Sequence, residues 1–384
     1  MKVVLAPDSF KGSLTSSQAA SAMERGIRKV LKDAQIEKVW IADGGEGTVE
    51  AIVSMTGGQY VHTKVEGPLG EKVDAVWGLC TTENGKTAVI EMAAASGILI
   101  TPQEKRNVKK ASTFGTGQLI KAALDSGASC IIIGIGGSAT NDGGAGMAQA
   151  LGAQFYDSEG KILPKGGEAL SKLHSIDLRN LDPRLNYTKI LIASDVKNPL
   201  CGSHGCSAVY GPQKGATAKD VEILDKALEN YAAIARRDVG IDIRNVPGAG
   251  AAGGLGAGLM LFANGKMEPG IELILNIIGF ENIAKDADLV FTGEGFTDSQ
   301  TANGKAPVGV AAIAKKYKIP VICLSGGISS DASALYNHGI DAVSGTPCAP
   351  ISLNSCIENA ATMLEDAAER MIRLVLIGTK LNRK

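Results

Sequence analysis

One stretch, residues 130–146 with the sequence CIIIGIGGSATNDGGAG, limits more strongly than any other what this chain can fold into. Cys130 and the three isoleucines after it form an apolar run that ends at a glycine, which predicts a buried strand of a parallel sheet. The loop that follows, 134–144, holds five glycines, and glycine lets a ligand approach backbone N–H groups closely. A helix beginning near Asp142 would add its positive end. The stretch therefore predicts an anion site, and phosphate is the anion we expect.

The size and charge of the chain narrow the class of protein. At 384 residues it exceeds what one hydrophobic core usually supports, so we expect two domains. A formal net charge of −1 gives no attraction for polyanions, so neither nucleic acid nor a membrane surface is expected as a partner. No segment approaches 18 apolar residues and the start of the chain lacks signal-peptide features, which favours a cytoplasmic location. The seven cysteines are expected to be free thiols, because an odd number in a large chain does not fit a disulfide framework.

The two ends of the chain share a pattern of alternating strands and helices. Strands are predicted at 2–7, at 38–42 and near Tyr60, with a helix over 15–33 that Thr15 and Gln18 would start as a capping box. The same alternation resumes near Ala287. Such a pattern is typical of parallel sheets, in which ligands bind outside the carboxyl ends of the strands.

The middle of the chain begins differently, since 73–91 reads as a β-hairpin around a turn. We therefore predict an α/β protein of two α/β domains. Residues 1–75 and 286–384 would form a parallel-sheet domain built from both chain ends, and residues 76–285 a second, inserted domain. The cleft between the two domains would hold the ligands.

Acidic side chains follow several predicted strands or lie beside glycine clusters. A carboxylate in such a place binds Mg²⁺, accepts a hydroxyl proton, or caps a helix. Lysines near the same loops can neutralise a phosphate or a substrate carboxylate, or lie on an ordinary surface. The acidic residues are Asp8, Asp43, Asp142, Asp195, Glu294 and Asp298, and the lysines are Lys11, Lys214 and Lys305.

Standard nucleotide motifs leave more than one kind of function open. A Walker A loop is excluded, because Gly85-Lys86-Thr87 has Cys80 where the first glycine belongs. The loops at 134–139 and 248–253 satisfy dinucleotide fingerprints, so an NAD-dependent hydroxy-acid dehydrogenase remains an alternative. A non-catalytic sensor of a small phosphorylated acid would also explain the anion sites. Glycine loops, carboxylates and lysines together are what phosphoryl transfer needs.

Eight runs of sequence resemble the signature segments of the bacterial glycerate kinase family of the type that phosphorylates D-glycerate with ATP. The resemblance follows the family's order over essentially the whole chain. It implies a flavodoxin-like domain formed from both termini, a requirement for ATP and Mg²⁺, and 2-phospho-D-glycerate as the product. The runs are APDSFKGSLTSSQAA, IADGGEGTVEAI, VIEMAAASGI, FGTGQLI, IGIGGSATNDGGAGMAQALG, NPLCGSHGCSAVYGPQKGA, PGAGAAGGLGAG and GEGFTDSQTANGKAPVGVA.

The resemblance also suggests roles for individual residues. Lys11 would contact the glycerate carboxylate or the transferred phosphoryl group. Asp195 is the first choice for metal ligand or base, and Asp43 the second. Substrate-binding residues would be Asp8, Ser9, Glu46 and Asp298, and nucleotide phosphates would lie on Gly136, Gly137, Ser138 and Asn141, with Gly253 and Gly254 as a second cradle.

This chain departs from the family in one motif. Where the family has GEGRIDxQTxxGK, Phe296 and Thr297 replace the Arg-Ile pair, so any charge contact made by that arginine is absent. A kinase that forms 3-phosphoglycerate is a further alternative, and a homodimer stays open.

Overall fold

The computed structural model describes residues 1–381, which divide into two compact units. Unit 1 consists of Met1–Asp43, Glu50–Met55 and Ile271–Lys384, and unit 2 consists of Gly44–Val49 and Thr56–Gly270. Both chain ends thus belong to the same unit.

Strands and helices alternate through most of the chain. The strands are β1 Lys2–Pro7, β2 Gln35–Lys38, β3 Gln59–Glu66, β4 Lys72–Thr82, β5 Gly85–Glu91, β6 Cys130–Gly134, β7 Gln154–Tyr156, β8 Ser175–Asp177, β9 Lys189–Ala193, β10 Lys266–Glu268, β11 Leu289–Thr297, β12 Val321–Ile328 and β13 Ala342–Gly345. The α-helices are α1 Ser16–Arg28, α2 Thr48–Thr56, α3 Ala93–Ser96, α4 Phe114–Asp125, α5 Ala145–Ala150, α6 Cys206–Tyr210, α7 Ala218–Asp238, α8 Ala251–Phe262, α9 Gly270–Ile277, α10 Phe280–Ala284, α11 Ala306–Lys316, α12 Leu353–Glu358 and α13 Ala360–Leu381.

Unit 1 is built on a parallel five-stranded sheet with the order β13-β12-β11-β1-β2. This is the doubly wound order of flavodoxin-like folds, in which the winding direction reverses between two neighbouring strands. Here the reversal lies between β1 and β11. Ligands in such sheets bind outside the carboxyl ends of the strands at that point, so the residues that follow β1 and the end of β11 are the first place to look for a site.

The core of unit 1 follows from strand alternation. Val3 and Leu5 point to one face of the sheet, where they pack in one apolar cluster with Leu364 of α13. Helix α1 joins that cluster and begins where the sequence predicts, since Thr15 and Gln18 form a capping box. The predicted α/β class is confirmed.

Unit 2 contains a mixed six-stranded sheet with the order β10-β9-β6-β5-β4-β3. Strands β5, β6, β9 and β10 run parallel, whereas β3, β4 and β5 pair antiparallel. The buried isoleucines of β6 lie near the middle of this sheet, as their apolar run predicts. The hairpin predicted at 73–91 is confirmed as β4 and β5.

Two details of the N-terminal part differ from expectation. The strand predicted near Tyr60 is β3, but it pairs antiparallel with β4 instead of extending the first sheet. Unit 2 accordingly includes Thr56–Gly270, whereas the expected boundaries lay at residues 75 and 286. Hydrogen bonds along the whole of β3 explain the shift of the first boundary, because they tie this strand to the second sheet. Strand β2 ends at Lys38, where a strand was expected to begin.

Within residues 1–381, no helix is both long and apolar enough to cross a membrane.

Candidate active site

A cavity of about 640 Å³ opens in unit 1 at the carboxyl ends of β1 and β11. Asp8, Ser9 and Lys11 reach it from the segment after β1, and Asp43 also lines it. Glu294 reaches it from the second half of β11. The cavity therefore lies at the reversal point of the sheet and collects most of the polar residues that the sequence predicted for the substrate.

Asp8 is the most perturbed of these groups. Its side chain is only 7% exposed, and its Oδ1 accepts a hydrogen bond of 2.7 Å from the Ser9 N–H. Burial, followed by the Asp43 charge, raises the pKa of Asp8 to about 8, although the Ser9 hydrogen bond and the charge of Lys11 act in the opposite direction. A carboxyl with such a pKa exchanges its proton near neutral pH, which is typical of functional sites.

Glu294 is held by two hydroxyl groups. Its Oε1 accepts hydrogen bonds from Thr301 Oγ1 at 2.6 Å and Thr297 Oγ1 at 3.0 Å. Burial raises the pKa of this carboxyl as well. Thr297 also bonds Ser325 Oγ at 2.6 Å, so one of the two residues that depart from the family motif orients a carboxylate of the cavity.

Asp298 has a structural task that the sequence did not reveal. Its Oδ1 accepts hydrogen bonds from the N–H groups of Gln300 and Thr301, and it lies 3.8 Å from Lys305 Nζ. Asp298 therefore orders the turn that follows β11, and both Asp298 and Lys305 line the cavity.

An apolar wall completes the cavity, and no sequence pattern predicted it. Phe296, the other departure from the family motif, is 55% exposed on this wall. Ile351 joins it from the segment before α12, and Leu353 and Ile357 join it from α12 itself. The cavity thus offers carboxylates and lysines on one side and hydrocarbon on the other.

The glycine loop after β6 borders a second cavity, of about 250 Å³, inside unit 2. Gly136, Gly137 and Ser138 line it, as an anion site would require, and Gly137 adopts a φ of 73° that favours glycine. The N–H of Gly136 donates a long hydrogen bond of 3.4 Å to Gly44 O. Helix α5 begins at Ala145, three residues later than expected, with Gly144 in the left-handed region before it.

The second half of that loop is packed instead of open. Asp142 is fully buried and accepts hydrogen bonds from Thr113 and from the Gly144 and Gly146 N–H groups, and burial raises its pKa. Asn141 is also fully buried and donates from Nδ2 to Ser207 Oγ at 2.9 Å. Both residues hold the loop in shape behind the cavity.

Gly253 and Gly254, the second predicted phosphate site, lie in the same packed layer. A Cβ on Gly253 would lie 1.9 Å from Thr140 O, and one on Gly254 would lie 2.6 Å from Gly143 Cα. Both glycines are buried, and they allow α8 to press against the loop after β6. Ala252, just before them, is the residue of this segment that lines the cavity.

Asp195 and Glu46 occupy exposed loops of unit 2. Asp195 follows β9, and its Oδ1 accepts a hydrogen bond of 3.2 Å from the Gly270 N–H. Glu46 lies in the segment 44–49, which is anchored by a residue that the sequence analysis did not single out. Glu91, at the end of β5, accepts a 2.8 Å hydrogen bond from the Val49 N–H, and burial raises the pKa of its carboxyl.

Glycines seat the same segment on the sheet of unit 2. A Cβ on Gly44 would lie 2.5 Å from Ala193 O, and one on Gly134 would lie 2.6 Å from Gly44 O. A Cβ on Gly136 would lie 2.9 Å from Gly45 Cα. Backbone therefore meets backbone at the carboxyl ends of β6 and β9.

The fold and these sites together define an α/β protein with a flavodoxin-like unit, an acid-lined cavity at its reversal point and a glycine-rich loop beside a second cavity. A family model described as the glycerate kinase family matches residues 3–376. The chain belongs to the glycerate kinase family, whose members are phosphotransferases that act on an alcohol group.

Individual relatives agree with this assignment. The chain is 50% identical over 368 residues to the glycerate kinase of Bacillus subtilis (strain 168), covering 96% of each chain. It is 48% identical over 380 residues to the glycerate 2-kinase of Escherichia coli (strain K12), covering 99% of each. It also matches the crystal structure of a candidate glycerate kinase 2 from Salmonella typhimurium LT2 with a TM-score of 0.86 and 46% identity, covering 99% of this chain and 100% of that one.

Proposed function

We propose that this protein transfers a phosphoryl group from ATP to D-glycerate and forms 2-phospho-D-glycerate. Family membership implies ATP as the phosphoryl donor. The observation that carries the proposal for the acceptor is the unit 1 cavity, where Asp8 and Lys11 face a space large enough for a small hydroxy acid. The position of phosphorylation follows the name of the Escherichia coli relative.

The side chains of the cavity suit an acceptor that carries a carboxylate and hydroxyl groups. The ammonium of Lys11 would contact the glycerate carboxylate or the transferred phosphoryl group. Asp8, Ser9 and Asp298 would accept hydrogen bonds from the hydroxyls or donate hydrogen bonds to them. Glu46 is proposed to bind the same hydroxyls from its own loop. Fixing the acceptor in this way supplies positioning, which is the main contribution a kinase makes to phosphoryl transfer.

Nucleotide phosphates are proposed to lie on the loop after β6. Gly137 and Ser138 border the second cavity with their backbone, and Gly136 would add its N–H by giving up the long bond to Gly44. Asn141, Gly253 and Gly254 would act from the packed layer behind, by holding the loop in the shape that exposes those groups.

Mg²⁺ fits the carboxylates that are present. Among residues 1–381 there is no group of three or more acidic, histidine or cysteine side chains that could hold a metal by itself. Mg²⁺ typically takes one or two carboxylates plus substrate phosphates, so such a cluster is not needed. Asp195 is our first choice as ligand or base and Asp43 our second. When bound, Mg²⁺ neutralises charge on the phosphates.

Asp195→Asn tests the first of these choices. Because the change removes the carboxylate charge, we expect phosphoryl transfer to fall at least a hundredfold. Thermal unfolding should stay cooperative, because the side chain keeps its size and Asp195 is exposed. Full activity of the variant would remove Asp195 from the reaction and leave Asp43 as the candidate.

The activity itself is tested by ADP release with ATP, Mg²⁺ and D-glycerate, with the product position read by phosphorus NMR. We expect ADP release that depends on D-glycerate and a phosphorus signal coupled to the C2 proton. Coupling to the C3 protons would establish the 3-phosphoglycerate alternative. Ligand binding without ADP release would favour a sensor. A change in absorbance when NAD(P)H is supplied would favour a dehydrogenase.

A further inference from the structure

Lys214 is a buried lysine without a carboxylate partner among the residues that the structure describes. It follows α6 in a 3-10 turn and is only 2% exposed, although lysine is almost never fully buried unless it is paired. Its Nζ donates a hydrogen bond of 2.7 Å to the carbonyl oxygen of Thr140, and within residues 1–381 it forms no ion pair. An ammonium group has three hydrogens to donate, so this single bond leaves donor capacity for a ligand.

The same side chain lines the cavity of the glycine loop. Lys214 borders the 250 Å³ space together with Gly136, Gly137 and Ser138. A positive charge and the backbone of a glycine-rich loop therefore face one small volume. That combination of an ammonium and bare peptide groups is how many proteins hold a phosphate.

The groups around Lys214 do little to balance its charge. Burial lowers the pKa of Lys214 to about 8, against the opposing effect of Cys206 and Asp142. Burial raises the pKa of Cys206 to about 11, and Asp142 is already engaged by Thr113 and two loop N–H groups. Tyr210, which also lines the cavity, has a raised pKa, so it adds no negative charge at neutral pH.

One permanent cation lies beyond the cavity wall. The guanidinium of Arg106 donates to the carbonyl oxygens of Ile98 and Thr101, and Ile98 lines the cavity. Arginine does not titrate in proteins, so it cannot produce a pH dependence near 8. Lys214 and Arg106 thus place positive charge around this cavity, which an anion would neutralise.

We propose that Lys214 is the cation of the anion site in unit 2 and that its Nζ binds a phosphate group of the nucleotide beside Gly137 and Ser138. The inference rests on the proposed function for the identity of the nucleotide, while the chemistry of the site, an ammonium among glycine amides, is independent of it. Lys214 is then a binding residue, and its bond to Thr140 holds the ammonium at the cavity wall.

The test is calorimetric binding of an ATP analogue to the full chain, without D-glycerate, at pH 7.5 and pH 9.5. The terminal group of imido- and methylene-bridged analogues still titrates in this range, so the slowly hydrolysed γ-thiophosphate analogue is used. Its phosphates are fully ionised at both pH values, so a change in affinity reports on the protein. Because an anion favours the protonated amine, we expect binding to the wild type to weaken at least about tenfold at the higher pH, with proton uptake at pH 8.5.

Two lysine variants complete the test. Lys214→Met is expected to bind the analogue about 10- to 100-fold more weakly at pH 7.5 and to lose both the pH dependence and the proton uptake. Lys219→Met, on the exposed face of α7, is expected to behave like the wild type. Binding by Lys214→Met that matches the wild type at both pH values would overturn the proposal.

A second variant keeps the proposal testable if Lys214→Met does not fold. Asp8 also has a pKa of about 8, so Asp8→Asn removes a competing source of proton uptake. Uptake that persists in Asp8→Asn supports Lys214, and uptake that disappears overturns it. Inorganic phosphate should compete with the analogue and D-glycerate should not, whereas competition by D-glycerate alone would overturn the assignment to phosphate. The ADP-release assay of the wild type decides the proposed function separately.

Discussion

Individual residues of the unit 1 cavity combine two properties that stability alone would not select: burial and charge. Asp8 and Glu294 are both less than one-tenth exposed, and burial raises the pKa of each carboxyl. Buried carboxyls cost free energy unless they are protonated or well paired. Their presence at the reversal point of the sheet is therefore best explained by a task in binding or catalysis.

Lys11→Met removes the ammonium that is proposed to contact the acceptor. We expect kcat/KM to fall at least a hundredfold, which corresponds to about 2.7 kcal/mol of transition-state stabilisation. Steady-state kinetics with D-glycerate is the measurement, and Lys32→Met, an exposed lysine after α1, is the control. Near-normal kinetics of Lys11→Met would place Lys11 outside the site.

Asp8→Asn should change how stability depends on pH. The carboxyl has a folded pKa of about 8 against an ordinary value of 3.8, so its contribution to stability is fully present below about pH 3.8 and is lost as pH rises through about 8. We expect the free energy of unfolding of the wild type to fall between pH 5 and pH 9 by at least about 1 kcal/mol more than that of Asp8→Asn. Urea unfolding at both pH values measures this. Equal losses would contradict the raised pKa.

Secondary-structure elements show where close packing dictates the residue type. Helices α1 and α13 approach each other at Gly26, where a Cβ would lie 2.0 Å from the carbonyl oxygen of Glu365. Around this point Arg25 and Lys29 pair with Glu365, on the exposed side of the two helices. These surface ion pairs are worth little, so the glycine contact decides how closely the helices pack.

Gly26→Ala is the prediction at this scale. The added methyl group meets backbone that cannot move aside without shifting a helix, so we expect the free energy of unfolding to fall by about 3 kcal/mol. Gly378→Ala is a matched control on α13, because a Cβ there meets nothing within 4 Å. That change should be neutral or stabilise by up to about 1 kcal/mol through helix propensity. Denaturant unfolding that ranks the two variants in the opposite order would refute the packing argument.

At the scale of the whole molecule, unit 1 is formed from the two ends of the chain. Strand β1 pairs with β2 on one side and with β11 on the other, and β11 comes from far along the chain. Buried side chains such as Val3 and Leu5 therefore depend on residues after Ile271.

A chain that ends at Gly270 should lose this sheet. We expect limited proteolysis to digest residues 1–43 of the fragment within the time that leaves 56–270 intact, because unit 2 keeps its own sheet and cores. The full-length chain, digested in parallel, should protect both regions. Protection of residues 1–43 in the fragment would mean that β1 and α1 fold without β11.

Much of the fold was predictable because its signals are local. The apolar run of β6, the capping box of α1 and the turn of the β4–β5 hairpin each depend on neighbouring residues. The loop after β6 was predicted as a site for the same reason, since its glycines adjoin a buried strand.

Other features depend on contacts between distant parts of the chain. Periodicity could not show that β3 joins the second sheet. Gly253 completes a dinucleotide fingerprint, yet neither it nor Gly254 has room for a side chain, because the loop after β6 packs against both. Nothing near Lys214 in the sequence shows that it is buried, and nothing near Phe296 shows that α12 completes its wall.

The seating of the segment 44–49 on unit 2 has a consequence for anyone who wishes to redesign this enzyme. Gly44, Gly134 and Gly136 allow the backbone of this segment to contact the backbone at the ends of β6 and β9, so the neighbouring side chains do not set the position of the loop. A combinatorial library should therefore hold these three glycines constant and randomise the exposed neighbour Glu46, which is proposed to contact the acceptor.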